Sequence, residues 1–291
     1  MGVLLTIAGI LVIAVGLYDI FHTLLHPSGQ GPLSSRVMAA VWKFSKAIGH
    51  RSGSTVGPLG MATVVLMWAV LQGVGWALIY LPHVPGGFMY SAGVDPADYP
   101  DFAGALYVSL TSLSTLGFGD VVPTDPWIRL AAPVQALTGF ALLTAALTWF
   151  TQIYPAMARR RSLALKLKRL ADVGYIQAVG QVEAATLNRT LETLAAEVSD
   201  VRIDLTQHSE GFYFRERDQE LSLAHQLFHA LELRDAAAAT PAPEVRLGAQ
   251  QLSEALDHLA QKLRADFVST GDSVEEIFAA YANDHGQTGT G

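Results

Sequence analysis

The segment from Thr115 to Asp120 has the sequence Thr-Leu-Gly-Phe-Gly-Asp and could bind a cation through main-chain oxygens. A dehydrated monovalent ion needs a cage of oxygens to replace its water shell, and backbone carbonyls can supply one. Carbonyls that point at one axis require backbone angles that only glycine reaches without strain, which suits Gly117 and Gly119. Because Gly-Phe-Gly also occurs by chance, the interpretation depends on the elements that surround this segment.

The composition indicates a membrane-spanning chain. Of its 291 residues, 51% are hydrophobic and only 15% are charged, which is too apolar for an average soluble domain. The formal net charge of −7 argues against a nucleic-acid partner. The absence of cysteine excludes disulfides, thiolate metal sites and cysteine nucleophiles. No arrangement of nucleophile and acid–base residues suggests an enzyme, and nothing in the sequence indicates a cofactor.

Three hydrophobic segments, residues 3–25, 59–81 and 127–154, are long enough to cross the hydrocarbon core of a bilayer. That core is about 30 Å thick, and a helix rises roughly 1.5 Å per residue. Pro82 and Pro155 are expected to close the second and third segments. We therefore predict three membrane-spanning helices.

Positive charge sets the predicted orientation, because loops rich in Lys and Arg remain in the cytoplasm. Such residues lie between the first two segments and after the third, at Arg36, Lys43, Lys46, Arg51, Arg159, Arg160, Arg161, Lys166, Lys168 and Arg169. Residues 82–126 contain no Lys or Arg. We expect the N-terminus and this region outside, and the C-terminal third in the cytoplasm, with the chain in the inner (plasma) membrane of a bacterium.

Residues 102–114 form an apolar stretch of about 13 residues, too short to span the bilayer, which predicts a re-entrant helix. Pro100 and Asp101 offer its start, with Asp101 as the capping carboxylate, and Asp125 is expected to cap the third segment in the same way. The re-entrant helix leads directly into Thr115. Irregular backbone at membrane depth needs protein or a water-filled path to satisfy it, so this arrangement implies a pore. The helix C-terminus carries partial negative charge, which favours a cation there.

Residues 105–120, with the sequence Ala-Leu-Tyr-Val-Ser-Leu-Thr-Ser-Leu-Ser-Thr-Leu-Gly-Phe-Gly-Asp, resemble the pore helix and selectivity filter of tetrameric potassium channels. The simple bacterial channels with two helices per subunit are the nearest pattern. The resemblance covers about residues 59–155 and includes Pro123, Trp127, Arg129, Leu130 and Gly139. It implies an all-α membrane protein with an outer helix, a pore helix and filter, and an inner helix, assembled as a homotetramer around one pore. The first hydrophobic segment is then an additional N-terminal helix.

The resemblance also implies roles for individual residues. K⁺, the permeant ion, would be coordinated by the filter residues Thr115, Leu116, Gly117, Phe118 and Gly119. Asp120 would hydrogen-bond toward the pore helix, with Tyr107 as its partner. Phe118 stands where the family usually has Tyr and cannot donate a hydroxyl bond, and Thr111 stands where some bacterial relatives carry a carboxylate. Both departures concern the rigidity of the filter more than its selectivity.

In the inner helix, Gly139 lies where this family often places a hinge. Gly139, Phe140, Leu143 and Leu147 follow helical spacing and could line the cavity and a hydrophobic constriction that gates by dewetting. Ordinary helix packing explains the same spacing equally well.

We divide the chain into residues 1–57, residues 58–155 and residues 156–291. The first part holds the N-terminal membrane helix and an amphipathic helix over residues 36–50, the second is the pore domain, and the third is a helical cytoplasmic domain. The amphipathic helix would bury one apolar face, formed by Val37, Val41, Phe44 and Ile48. That face suits a helix in the membrane interface, and the alternative is a short helix packed on the cytoplasmic domain.

The cytoplasmic domain is expected to be helical, with breaks near Gly211, residues 236–243 and Gly271. Apolar residues repeat at steps of three and four at Ala184, Leu187, Leu191, Leu194, Val198, Val201 and Leu205. This repeat covers about three heptads, the lower limit for a coiled coil. It predicts either a bundle of helices from several subunits or one amphipathic helix inside a compact domain.

Two groups of ionisable side chains share helical faces, namely His225 and His229 with Glu220 or Glu232, and Asp19 with His22 and His26. The first group could hold zinc or respond to pH, although surface or packing roles are the ordinary explanation. The second group lies near the cytoplasmic end of the first segment, where snorkelling toward water accounts for it.

The leading functional hypothesis is a homotetrameric potassium-selective channel that conducts K⁺ passively. No segment carries Arg or Lys at every third position, so a voltage-sensor helix is not predicted. One alternative is a weakly selective cation channel on the same scaffold, and another is a helical membrane sensor or scaffold that does not conduct. The gating stimulus and any regulatory ligand stay open, and membrane lipid is the other expected partner.

Overall fold

The computed structural model describes residues 1–26, 31–48, 53–98 and 100–287. Over these residues the fold is nearly all helical, as predicted, with one short antiparallel pair of strands. The helices are α1 (Gly2–Leu24), α2 (Pro32–Ala47), α3 (Val56–Tyr80), α4 (Asp101–Leu113), α5 (Pro126–Asp172), α6 (Ala184–Gln207), α7 (Leu223–Ala238), α8 (Pro243–Asp266) and α9 (Val274–Asp284), and the strands are β1 (Phe88–Tyr90) and β2 (Val121–Pro123).

The chain divides into two compact units. The first comprises Met1–His26, Gln30–Val37 and Met61–Thr151. The second is built mainly from Met38–Gly60 and Gln152–Gly291. Each unit has its own core of buried apolar side chains.

Among the described residues, three helices, α1, α3 and α5, are long and apolar enough to cross a membrane, in agreement with the three predicted spans. Asp125 caps α5 as expected, since its Oδ1 accepts a hydrogen bond of 2.9 Å from the Trp127 N–H. The prediction that Pro155 ends this helix is wrong, because α5 continues to Asp172. A proline inside a helix removes one backbone hydrogen bond, whereas the continued helix buries Ala164 and Leu167 in the core of the second unit.

Helices α1 and α3 approach each other through glycine. A Cβ added to Gly9 would lie 2.4 Å from the carbonyl oxygen of Gly75, and one added to Gly16 would lie 2.8 Å from Nε2 of Gln72. Small residues let helix backbones approach closely inside membranes, where apolar burial alone does not hold helices together. The N-terminal helix is therefore packed into the first unit.

Asp19 lies at the centre of a buried polar network in the first unit. Its carboxylate accepts hydrogen bonds from the indole N–H of Trp68 at 2.8 Å, from the Leu33 N–H at 2.7 Å, and from the hydroxyl and N–H of Ser34. Leu33 and Ser34 belong to the first turn of α2, so Asp19 caps that helix from α1. The expectation that Asp19 snorkels toward water is wrong, because its side chain is fully buried.

Replacing Asp19 with alanine is expected to destabilise the first unit by about 3 kcal/mol, since each unpaired buried donor costs about 1–3 kcal/mol. Thermal unfolding of the purified chain in detergent measures this loss. Tyr18→Phe is the matched control, because Tyr18 precedes Asp19 on the same helix and is 56% exposed. An Asp19→Ala variant as stable as Tyr18→Phe would contradict the capping role.

Helix α4 begins after Pro100, which is its N-cap residue and provides no side-chain capping bond. The prediction that Asp101 caps this helix is therefore wrong. Asp101 lies instead within the first turn, where its negative charge still interacts favourably with the helix dipole. Strand β1 precedes α4 in the chain and β2 follows it. The two strands pair in antiparallel register, with Met89 opposite Val122.

The interfacial helix predicted over residues 36–50 corresponds to α2, but a different face is buried in protein. Trp42 belongs to the core of the second unit, and its indole N–H donates to Oδ2 of Asp284 at 2.7 Å. Phe44 and Ile48, which belong to the predicted apolar face, are not covered by protein, which is compatible with the predicted place of that face in the membrane interface. The pattern of apolar residues did not show which face of α2 packs on protein and which face is exposed. Arg51 and residues 49–50 lie outside the described residues.

The heptad-like face of α6 is buried inside a single chain. Its residues from Leu187 to Leu205 pack in the core of the second unit, where α8 is the main neighbour of α6. A Cβ added to Gly248 of α8 would lie 2.3 Å from Oδ1 of Asn188, so the two helices are in close contact. The compact-domain alternative is therefore confirmed for this face. The three predicted helix breaks also occur, between α6 and α7, α7 and α8, and α8 and α9.

The ionisable residues of α7 form a local pair. Nδ1 of His229 lies 3.1 Å from Oε2 of Glu232. Within the part of the chain that the structure describes, no three His, Cys, Asp or Glu residues are grouped to hold a metal ion. The zinc hypothesis for His225 and His229 thus gains no support.

His208, which follows α6, is expected to make the stability of the second unit depend on pH. Glu210, whose Oε1 lies 3.7 Å from Nδ1 of His208, raises the pKa of this histidine; Asp204 adds to the effect, and burial and Arg159 oppose it. A raised folded-state pKa means that the interaction stabilises fully below the ordinary value of about 6.5. The stabilisation is lost as pH rises through the raised value.

His208 is therefore expected to stabilise the second unit more at about pH 5.5 than at about pH 8.5. Denaturant unfolding at both values measures the difference. His208→Gln should reduce it, whereas His258→Gln, an exposed histidine on α8, should leave it unchanged. Equal changes in both variants would contradict the assignment.

Candidate functional site

The predicted filter follows α4 as an irregular loop whose backbone turns at glycine. Gly117 and Gly119 have φ angles of 51° and 78°, in the left-handed region that favours glycine. Thr115 also has a positive φ of 59°, which costs a residue with a Cβ about 1–3 kcal/mol. The N–H groups of Leu116 and Gly117 point back to the carbonyl of Thr111, at 3.0 and 3.4 Å. These bonds end α4 and fix where the loop begins.

The end of the predicted filter is held by Asp120 and by Ser91, which follows strand β1. The Tyr107 hydroxyl donates to Oδ2 of Asp120, which is the contact that the resemblance implied. Oδ1 of the same carboxylate accepts from the Val121 N–H at 3.1 Å. Ser91 adds a connection that the sequence did not indicate, because its N–H donates to the Asp120 carbonyl at 2.8 Å and its hydroxyl lies 3.4 Å from the Gly119 carbonyl. Strand pairing between β1 and β2 brings Ser91 to this position.

The two departures from the usual filter pattern have visible consequences. The Thr111 hydroxyl lies 3.0 Å from the carbonyls of Tyr107 and Val108, so it bonds to its own helix. The ring of Phe118 is 68% exposed in the single chain, and Leu116 is 61% exposed. Asp120 is thus tied to α4 through Tyr107, whereas Leu116 and Phe118 of the predicted filter are mostly uncovered in one chain.

A buried polar network joins the helices that surround α4. Gln135 of α5 donates through Nε2 to the Ser109 carbonyl at 2.9 Å and to the Ser109 hydroxyl at 2.8 Å. The Tyr80 hydroxyl donates to Oε1 of Gln135 at 2.8 Å, and the Ser109 hydroxyl donates to the Gly73 carbonyl at 2.7 Å. These side chains are fully buried, so the network connects α3, α4 and α5 through satisfied bonds. Sequence reasoning missed it, because a single Gln in an apolar helix gives no sign of its partner.

Gly139 lies against the end of α4. A Cβ added to Gly139 would lie 1.9 Å from the carbonyl oxygen of Leu113 and 2.8 Å from its carbonyl carbon. Only glycine permits this approach of α5 to the last residue of the helix that precedes the filter. Gly139 therefore has a packing role beside the hinge role that the resemblance implies.

The other three inner-helix candidates have exposed side chains in the single chain. Phe140, Leu143 and Leu147 are 64%, 69% and 66% exposed. They do not serve as core residues of one subunit, so intramolecular packing does not explain their spacing. A cavity, a neighbouring subunit or lipid could cover them.

The fold and the loop define a helical membrane protein in which a short helix ends in a glycine-containing loop next to an apolar helix. Residues 63–154 match a family described as ion channels. Over this segment the match bears out the resemblance to ion channels that the sequence indicated.

One relative covers more of the chain. The uncharacterized membrane protein YdjJ of Bacillus subtilis (strain 168) is 29% identical over 172 residues, which are 58% of this chain and 49% of that protein. The chain thus spans about half the length of this relative. No solved structure matches the chain.

Proposed function

We propose that this protein is a homotetrameric potassium channel that conducts K⁺ through a filter formed by residues 115–119 of four subunits. The observation that carries the proposal is the loop after α4, in which Gly117 and Gly119 adopt left-handed angles inside a segment that matches ion channels. This backbone allows successive carbonyls to face one axis, as a dehydrated monovalent ion requires. Such a function is passive transport and needs no enzymatic group.

The tetramer is supported by surfaces that one chain leaves uncovered. Leu116 and Phe118 beside the loop, and Phe140, Leu143 and Leu147 on α5, are large apolar side chains with more than half of their surface exposed. One subunit supplies only one filter loop, whereas an axial site needs several. Cyclic association of identical chains would complete the site and cover part of this surface.

The charge pattern supports a topology with the filter mouth outside and residues 156–291 in the cytoplasm of a plasma membrane. Residues 82–126 hold aspartates and no Lys or Arg, and basic residues follow the third span. Acidic groups near the mouth would also raise the local concentration of cations.

Ion flux from liposomes tests the proposal. Vesicles that contain the purified full chain are expected to release K⁺ in a Ba²⁺-sensitive manner and to retain Na⁺. Gly117→Ala should reduce K⁺ flux at least tenfold, because its φ of 51° is unfavourable for alanine. Gly93→Ala is the matched control, since Gly93 has a φ of 92°, no atom near its Cβ position, and a place outside the filter. Equal flux from both variants would contradict the filter assignment.

A weakly selective cation channel is the second candidate. It is favoured only if a less rigid filter is also less selective, because Phe118 has no hydroxyl and the Thr111 hydroxyl bonds within its own helix rather than to Asp120. Both features leave the filter with fewer bonds to its surroundings. The same vesicles distinguish this candidate, because it would release Na⁺ and K⁺ at similar rates. A scaffold that does not conduct would release neither ion.

A further inference from the structure

A cavity of about 280 Å³ lies in the first unit, between α4 and the segments that carry β1 and β2. Valine and proline side chains form much of its wall. Four polar groups share the lining, namely the phenols of Tyr90 and Tyr107 and the carboxylates of Asp101 and Asp120. The volume is just below the range of roughly 300–1,000 Å³ found for small-molecule sites, so only a small ligand fits. The proposed conduction path does not use this space.

The charge around the cavity selects for a cation. Residues 82–126 contain no Lys or Arg, and the ionisable groups of the lining are carboxylates and phenols. Asp120 is already engaged by Tyr107 and by the Val121 N–H, whereas Asp101 is exposed at the rim. Burial raises the pKa of Tyr90, and the negative charge of Asp101 raises it further. The Asp101 carboxylate is therefore close enough to interact electrostatically with the Tyr90 phenol.

The lining also favours a ligand with an apolar part. A hydrated metal ion would need several oxygen ligands, and the described residues contain no group of three that could hold one. An organic ammonium ion fits better, because its charge can interact with a carboxylate and an aromatic face while its hydrocarbon part contacts valine and proline. A small aromatic amine carries both a positive charge and an apolar ring, and it is small enough for the cavity.

We propose that this cavity binds a small arylalkylammonium ion, with its ammonium group near Asp101 and Tyr90 and its ring against the apolar wall. The ligand would also contact Tyr107, whose hydroxyl bond to Asp120 supports the end of the filter. Occupancy should therefore alter conduction from the outer side. That effect on current rests on the proposed function, whereas binding itself does not.

Isothermal titration of the full chain in nanodiscs with 2-phenylethylammonium tests the site. The wild type is expected to bind this probe and to bind 2-phenylethanol, the uncharged analogue, at least tenfold more weakly. Asp101→Asn should weaken binding of the ammonium probe at least tenfold. Asp98→Asn removes the same charge from the same region but is not part of the lining, so its effect should stay below about twofold.

A second variant tests the cavity itself. A Cβ at Gly104 would lie 3.6 Å from Val84, an ordinary contact, so Gly104→Leu should fill the space and abolish binding without a backbone clash. Equal weakening by Asp98→Asn and Asp101→Asn would overturn the proposal in favour of general surface charge. Absence of binding to the wild type, or binding that survives Gly104→Leu, would also overturn it. Binding without ion flux would instead leave this site intact and reject the channel function.

Discussion

Replacing Gly139 with alanine is expected to reduce K⁺ flux at least tenfold. The added Cβ would lie 1.9 Å from the carbonyl oxygen of Leu113, so either α5 or the end of α4 must move. Overpacking of this kind costs about 1–3 kcal/mol or more. Leu113 precedes Thr115 by two residues, so a displaced helix end displaces the filter loop. Liposome flux together with thermal stability in detergent measures both consequences.

Gly73→Ala is the matched control for this substitution. Its Cβ would meet only the end of the flexible Leu110 side chain, at 3.1 Å, so we expect flux close to that of the wild type. A packing role for Gly139 predicts altered ion selectivity in any remaining current, because the filter itself is displaced. A pure hinge role predicts altered open probability with unchanged selectivity. Wild-type flux from Gly139→Ala would contradict the packing role.

Replacing Gln135 with leucine is expected to destabilise the first unit by about 2–4 kcal/mol and to reduce the preference for K⁺ over Na⁺. The substitution removes the acceptor of the Tyr80 hydroxyl and the donor to Ser109, and a buried group left unpaired costs about 1–3 kcal/mol. Ser109 lies in the middle of α4, so loss of these bonds frees the helix that carries the filter. Thermal unfolding and ion flux in K⁺ and Na⁺ measure the two effects.

A double-mutant cycle separates this network from general damage. Tyr80→Phe should destabilise the wild type by about 1 kcal/mol, the usual contribution of one hydrogen bond, but should have little further effect on Gln135→Leu. Gln152→Leu, an exposed glutamine on the same helix, should change neither stability nor selectivity. Additive effects of the Tyr80 and Gln135 substitutions would contradict the network.

The features that were predictable from the sequence depend on local patterns. The three candidate spans follow from runs of apolar residues, and the Asp125 cap follows from one residue before a proline. The loop with left-handed glycines follows from two glycines after a short helix. The helix breaks between α6 and α9 follow from glycine and proline in the same way. Each of these signals lies within a few residues of the structure that it specifies.

The features that escaped prediction depend on partners far away in the chain. Asp19 was expected to snorkel, and its acceptor role became visible only with Trp68 and Ser34 in place. The contact between Gly139 and Leu113 likewise joins separate helices. For α2 and α6 the sequence showed an apolar face without its partner. The packing of Trp42 in the core of the second unit was therefore missed, and the neighbour of α6 was left open. Pro155 does not end α5, because the burial of apolar side chains such as Ala164 and Leu167 outweighs the one backbone hydrogen bond that the proline removes.

The reversal potential of single channels with K⁺ on one side and an equal concentration of Na⁺ on the other tests the central claim most directly. Each tenfold preference for K⁺ moves this potential by about 59 mV for a monovalent ion. A filter of backbone carbonyls predicts a displacement of more than about 100 mV toward the potassium limit. A reversal potential within about 10 mV of zero, or the absence of any current from correctly assembled protein, would contradict the account.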